Sequence, residues 1–226
     1  LDQAITFIKE NFLLDEITSK LIAIRNIEYK DIKNYIDPSI KNTLPNPENL
    51  KDMLKSVERT YESVLKNEKI GILGDYDVDG ATSTAILGKY FKEIGIEYEF
   101  YIPDRKKEGY GPSVNGFKNL MSKGVKLIYT VDCGTLSFEP IEFAKKNNID
   151  VIVIDHHQSE IKLPVAHSII NPNRFDEKST LQYLSAVGVS FVFLVSLNKT
   201  LRLNNWFKIN SIIEPNLLEY LDLVSL

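Results

Sequence analysis

The sequence predicts an α/β protein: a parallel-sheet αβα sandwich with an N-terminal helical layer before it and C-terminal helices after it. Three observations predict this class. From Lys69 onward, short apolar runs alternate with helix-like segments. The runs are continuous and rich in β-branched residues, as in strands buried on both faces of a parallel sheet. Three of them end on acid, at Asp75, Asp132 and Asp155.

Residues 1–68 read as an N-terminal helical region, and 69–226 as the α/β domain. Ile5, Ile8 and Phe12, then Ile17, Leu21 and Ile24, recur at helical spacing and are expected to form packed faces. Pro38, Pro45 and Pro47 mark a loop. Asn46-Pro47-Glu48-Asn49 then opens an amphipathic helix, since proline suits a first helical turn. Its apolar face is Leu50, Met53, Leu54, Val57, Tyr61, Val64 and Leu65. The expected strands are 70–74, 98–102, 125–131 and 151–154, with 168–170 a further candidate. Helices 81–94, 113–123 and 139–147 run between them and impose right-handed crossovers. The pattern turns helical again over 187–197 and 217–226, and no internal repeat or low-complexity tract intervenes.

With 226 residues, 43% hydrophobic and 26% charged, the chain has ample material for a core. A net charge of -4 does not mark a nucleic-acid binder, although bound cations would offset a local acid cluster. Cys133 is the single cysteine, which excludes an intrachain disulfide and points to a reducing compartment. Neither an apolar stretch long enough to span a bilayer nor a signal-peptide pattern is evident, so a cytoplasmic protein without a membrane partner is expected. The chain opens on Leu1 rather than methionine, and a non-native first residue is expected.

Asp75, Asp77 and Asp79 alternate directly after the first strand. In an extended chain, alternation at period two puts them on one face. Three carboxylates together repel unless a cation lies among them, and hard divalent metals prefer carboxylate oxygen. A solvated acidic turn is the alternative. Gly80 permits a tight exit, and the helix after it favours an anion at its start. Asp132 and Asp155-His156-His157 bring acid and imidazole to the same edge, because the C-terminal ends of parallel strands line one crevice. Two of the three histidines stand there. Cys133 has no paired base and reads as a small buried residue rather than a nucleophile.

These residues resemble the DHH phosphoesterase superfamily, named for the motif standing here as Asp155-His156-His157. Within it they are most similar to the bacterial RecJ single-strand-specific exonucleases. The stretch from Gly74 to Ser83, the Asp132 strand end, Ile102-Pro103-Asp104-Arg105 with Glu108-Gly109-Tyr110-Gly111, and Ile169-Ile170-Asn171-Pro172-Asn173 carry the resemblance. So do Val187-Gly188-Val189-Ser190-Phe191 and, in the N-terminal layer, Asp37-Pro38 and Leu50 to Asp52. Cys133 and Ala186 depart from the family's frequent Asn and Gly. The closing residues 221–226 look like the approach to a fourth motif whose Asp binds metal. The chain is therefore expected to be an N-terminal piece that stops before that motif, and Asp222 is not its equivalent.

The resemblance implies a metal-dependent exonuclease degrading single-stranded DNA from the 5′ end in repair and recombination. Single-strand-binding protein and a helicase are the implied protein partners. Two Mn2+ or Mg2+ ions are expected, held by Asp77, Asp79, Asp132 and His156, with Asp132 bridging and Asp75 a further ligand candidate. His157 is assigned as a phosphate contact or proton donor, and Asp155 as the group fixing an imidazole tautomer. Arg105 and Tyr110 are assigned to a phosphate and a stacked base, a loop ion pair and a packing role being the alternatives. Lys106, Lys107 and Arg174 add cationic attraction, or are merely solvated. A phosphodiesterase or pyrophosphatase acting on short oligonucleotides or cyclic dinucleotides, and a metal-binding fragment without turnover, are the competing functions.

Overall fold

The structure, a computed structural model, describes residues 1–226 and divides into two units, Leu1–Pro45 and Asn46–Leu226. In the first unit, α1 (Asp2–Phe12) and α2 (Glu16–Ile24) pair, followed by α3 (Ile32–Ile36) and α4 (Ile40–Thr43). Its core is Ile8, Ile22 and Ile32, lined by Phe12, Leu14, Ala23 and Ile27. The apolar stripe expected on α2 faces outward: Ile17 is 74% exposed, and Leu21 and Ile24 are also exposed. A two-turn helix buries one stripe, and here Ser19 and Ile22 take it.

In the second unit, Asn46 caps a 3-10 turn, Pro47–Asn49, rather than a continuous helix. Asp52 then adopts a left-handed conformation (φ 61°), which breaks the chain direction before α5 (Met53–Leu65). Met53, Val57 and Val64 are buried in the main core with Leu50, whereas Leu54 and Leu65, expected in the same face, point away from it and are exposed. That packing places α5, grouped with the N-terminal region from the sequence, inside the larger unit.

Five strands form one sheet: β1 (Ile70–Gly74), β2 (Tyr98–Tyr101), β3 (Leu127–Val131), β4 (Asp150–Ile154) and β5 (Ser168–Ile170). Their order is β2-β1-β3-β4-β5 and every neighbouring pair is parallel, with Ile72 beside Tyr129 and Tyr129 beside Ile152. Alternate residues divide between the two faces. Ile70, Ile72, Leu127, Tyr129, Val131, Ile152 and Ile154 pack toward α5, α6 (Val78–Glu93) and α10 (Ala186–Leu203). Leu73, Ile128, Val151 and Val153 pack in the opposite layer with residues of α8 (Val114–Ser122) and α9 (Phe138–Lys146). A short α7 (Arg105–Glu108) precedes α8, and α11 (Trp206–Asn210) follows α10. The helix expected over 217–226 is a 3-10 turn, Leu217–Tyr220, followed by α12 (Leu221–Val224).

Contrary to the sequence expectation, α10 is long and apolar enough for a membrane span. Its residues are mostly buried, with α5 and α6 packed against it, so it serves as a core helix. Tyr90 Oη of α6 donates to Asn198 Oδ1 of this helix at 2.9 Å. Chain order fixes where a ligand crevice opens. From β1 the chain moves outward to β2, then crosses back over β1 to β3, so the winding reverses between β1 and β3. Ligands of open α/β sheets bind just outside the strand C-termini at such a reversal.

Candidate metal centre

Asp75 and Asp132 follow the two strands that flank this reversal, and both are buried. Strand β1 ends at Gly74, and after Asp75 the chain bends through Tyr76 and Asp77. Asp77 caps α6, its Oδ1 accepting from the Gly80 amide at 3.0 Å. The alternation of acids is therefore not an extended-strand pattern. Asp79 sits in the first turn of α6, because the cap starts the helix three residues before the expected Ala81. Only Asp75 and Asp77 join Asp132, the three offering carboxylate oxygens within 4.8 Å of one another.

Asp132 stands in the left-handed region (φ 60°), an unusual conformation for a non-glycine residue and one often found at functional sites. His156 Nε2 lies 3.3 Å from Asp132 Oδ1 and 3.5 Å from Asp79 Oδ2. Asp132, His156 and His157 form a second set of ligand atoms within the same 4.8 Å span. Asp79 has another partner as well: its two oxygens accept from the Ala186 and Val187 amides at 2.8 and 2.6 Å, tying α6 to the start of α10.

Whether this donor set fits a divalent cation is tested by its unpaired atoms. Asp75 Oδ1 is buried without a hydrogen-bond partner, and so is Asp132 Oδ1, which has the His156 ring nitrogen at 3.3 Å but outside hydrogen-bonding geometry. Buried carboxylate oxygens left unpaired are costly, and a hard cation among them removes that cost. Burial, with the charges of Asp79 and Asp77, pushes the Asp132 carboxyl up to about 6 despite the opposing His156 imidazole. Burial likewise raises Asp75. In Asp77, burial is outweighed by the Gly80 amide and by hydrogen bonding to Asp132, so its pKa falls. The carboxylates and His156 therefore fit Mn2+ or Mg2+.

Asp155 faces inward. Its Oδ1 accepts from the His156 and His157 amides and from His157 Nδ1 at 2.7 Å, and its Oδ2 accepts from the Thr135 amide. Burial would raise its pKa, but these bonds hold it at about 2. His157, bonded to Asp155 against the pull of burial, rises to about 9. This pair sets a pH window in the metal-free chain. The Asp155 contribution to stability is present above its unfolded value of 3.8 and is lost as pH falls toward about 2. The His157 contribution is complete below 6.5 and is lost as pH rises through about 9. His157→Gln is accordingly expected to lower the thermal midpoint in chelator at about pH 5.5 and to have a much smaller effect at about pH 9.5.

Tyr110 is 55% exposed, and only its hydroxyl is anchored at the acid edge. Its hydroxyl donates to the Asp132 carbonyl at 3.0 Å and lies 3.3 Å from either ring nitrogen of His157. Arg105 is exposed, its guanidinium 4.8 Å from the centroid of the Tyr76 ring, beside the acid bend. Lys106 and Lys107 are exposed. Arg174 is not a surface cation: it is 8% exposed and donates from Nη1 to Asp52 Oδ2 and to the Ile169 carbonyl, and from Nε to Asp176. Cys133 is buried, as expected, and burial pushes its thiol up. Thr135, Asn171 and Asn173, which hold the Asp155 segment, received no individual role from the sequence; the Asn-Pro-Asn triplet immediately after β5 was the available signal.

An open parallel sheet with helices on both faces, carrying carboxylates and imidazoles at its winding reversal, defines an α/β protein built to hold hard cations at its strand ends. Residues 69–223 match the DHH family, N-terminal domain, and the chain belongs to that family. It is 38% identical over 192 residues to the single-stranded-DNA-specific exonuclease RecJ of Escherichia coli K12, a match covering 84% of this chain and 33% of that protein. The corresponding Bacillus subtilis RecJ is 37% identical over 145 residues, covering 64% of this chain and 18% of the relative. The chain thus spans a third or less of these relatives. Among solved structures, an exonuclease RecJ bound to manganese is 28% identical, with a TM-score of 0.64, covering 78% of this chain and 42% of that one. RecJ from Thermus thermophilus in complex with Mn2+ shares the fold, with a TM-score of 0.73 and 22% identity over all of this chain and 30% of the other.

Proposed function

We propose that this chain supplies the metal-holding part of a divalent-metal-dependent exonuclease that hydrolyses the phosphodiester bonds of single-stranded DNA in the 5′ to 3′ direction. The observation carrying this reading is the cluster of Asp75, Asp77, Asp132 and His156 at the winding reversal, with two buried carboxylate oxygens unpaired. The 35–39% identity to RecJ proteins of several bacteria supports the substrate class. Asp77, Asp79, Asp132 and His156 would hold Mn2+ or Mg2+, with Asp75 a further ligand. When bound, the cations supply Lewis-acid polarisation of the phosphodiester and acidification of water.

The chain's own groups do the rest. Asp155 fixes the His157 ring through Nδ1, and the protonated imidazole contacts a phosphate oxygen or gives its proton to the leaving oxygen. Arg105, with Lys106 and Lys107 beside it, attracts the backbone phosphates, and the Tyr110 ring lies at the crevice for an unpaired base. The domain division belongs to the same proposal: residues 69–226 form the DHH portion and 1–68 the helical region before it. So do action in DNA repair and recombination in the cytoplasm, and partnership with single-strand-binding protein and a helicase.

Digestion of labelled single-stranded DNA by the full-length protein carrying this sequence tests the reading. Release of nucleotides from the 5′ end that requires Mn2+ and disappears in Asp77→Ala is expected, while Asp222→Asn leaves it nearly intact. Preferential cleavage of dinucleotides over long strands would replace the exonuclease with a small-substrate phosphodiesterase.

A further inference from the structure

Asn171, the first residue after β5, is completely buried and joins three loops. Its Nδ2 donates to Thr135 Oγ1 at 2.8 Å, in the loop after β3. The same amide donates to the His157 carbonyl at 2.9 Å, in the loop after β4. Its Oδ1 accepts from the Asn173 amide at 2.7 Å, and Asn173 Nδ2 in turn donates to the His156 carbonyl. Thr135 passes the connection on, because its amide donates to the Asp155 carboxylate that holds the His157 ring. Both histidine carbonyls and the group orienting His157 are thus tied to one buried amide. A buried side chain that spends its hydrogen bonds on the backbone and supports of two ligand-bearing residues is placed to set their geometry.

We propose that Asn171 is a positioning residue, acting through Thr135 and Asn173 to hold the Asp155-His156-His157 segment in the geometry that captures a divalent cation. The cation part of this inference rests on the proposed function; the positioning part does not.

The experiment titrates this chain with Mn2+ by calorimetry and follows amide hydrogen exchange in the metal-free protein. Asn171→Ala is expected to weaken Mn2+ binding by about 10- to 100-fold, the effect typical of groups that orient metal ligands. It should also accelerate exchange at the His156 and His157 amides, which donate to Asp155, while the amides of β1 and β3 stay protected. Asn171→Leu keeps roughly the volume without introducing charge but loses both donated bonds, and should match Asn171→Ala; a role in packing alone would spare it. Thr135→Val, which removes the hydroxyl at constant volume, should show the same local effect if the Asn171 variants fail to fold, and Thr135→Ser should restore it. Mn2+ affinity within about twofold of wild type together with unchanged His156 and His157 exchange in these variants would overturn the proposal. If the wild-type chain itself binds no Mn2+, the metal-centre reading falls, and the exchange rates alone decide the positioning role.

Discussion

Asp132→Asn is expected to stabilise the metal-free chain while abolishing its hold on Mn2+. The two effects have opposite signs because they come from one property of the site. Burial and the neighbouring acids raise the Asp132 carboxyl to about 6 from an ordinary value of 3.8. A carboxyl whose pKa is raised by folding weakens the fold as pH climbs from its unfolded value through its folded one, and the full penalty stands at neutral pH. An amide carries no such charge, and asparagine tolerates the left-handed backbone at this position better than most residues. The gain should reach about 2 kcal/mol at pH 7.5 by urea unfolding in chelator. Mn2+ affinity should fall by at least about 100-fold, and turnover in the full-length protein by roughly three orders of magnitude, because the carboxylate shared by both ligand sets is gone. Equal loss of stability and of binding would mean that Asp132 is a structural residue.

The second large effect is expected at Gly80. A Cβ built there lies 2.5 Å from the Asp75 carbonyl oxygen and 2.7 Å from the Asp75 nitrogen and carbonyl carbon. Those atoms belong to the backbone at the end of β1 and cannot rotate aside. Gly80→Ala must push α6 away from the acid bend, which costs about 3 kcal/mol or more and displaces both Asp75 and the Asp77 cap. Gly109→Ala is the contrast: nothing lies within 4 Å of its Cβ, and only its backbone conformation (φ 82°, ψ -156°), in a region essentially confined to glycine, opposes the change, so about 1–3 kcal/mol is expected. Chemical denaturation of the two variants side by side separates close approach from backbone conformation.

The sheet was readable from the chain because its strands are buried on both faces, and continuous apolar runs such as Leu127–Val131 admit few other roles. The convergence of Asp75, Asp132 and Asp155 followed from the same reading, since strand ends are the one place where a parallel sheet gathers distant residues. Local detail inside the acid stretch was not readable. Period-two spacing suggests a strand face, but the Asp77 side chain finds the Gly80 amide, and that short-range cap converts Asp79 into a helix residue facing α10. On α2, the apolar spacing of Ile17, Leu21 and Ile24 does not reveal which of two apolar stripes is buried. The polar supports were hidden for a different reason. The bond from Asn171 to Thr135 spans 36 residues and depends on the loop paths after β3 and β5, which composition does not determine.

Anomalous diffraction at the manganese edge, from crystals of this chain grown with Mn2+, tests the central claim most directly. A peak within about 2.0–2.3 Å of carboxylate oxygens of Asp77 and Asp132 and of His156 Nε2 is the predicted result. Manganese found only elsewhere, with these three side chains free of it, would contradict the account.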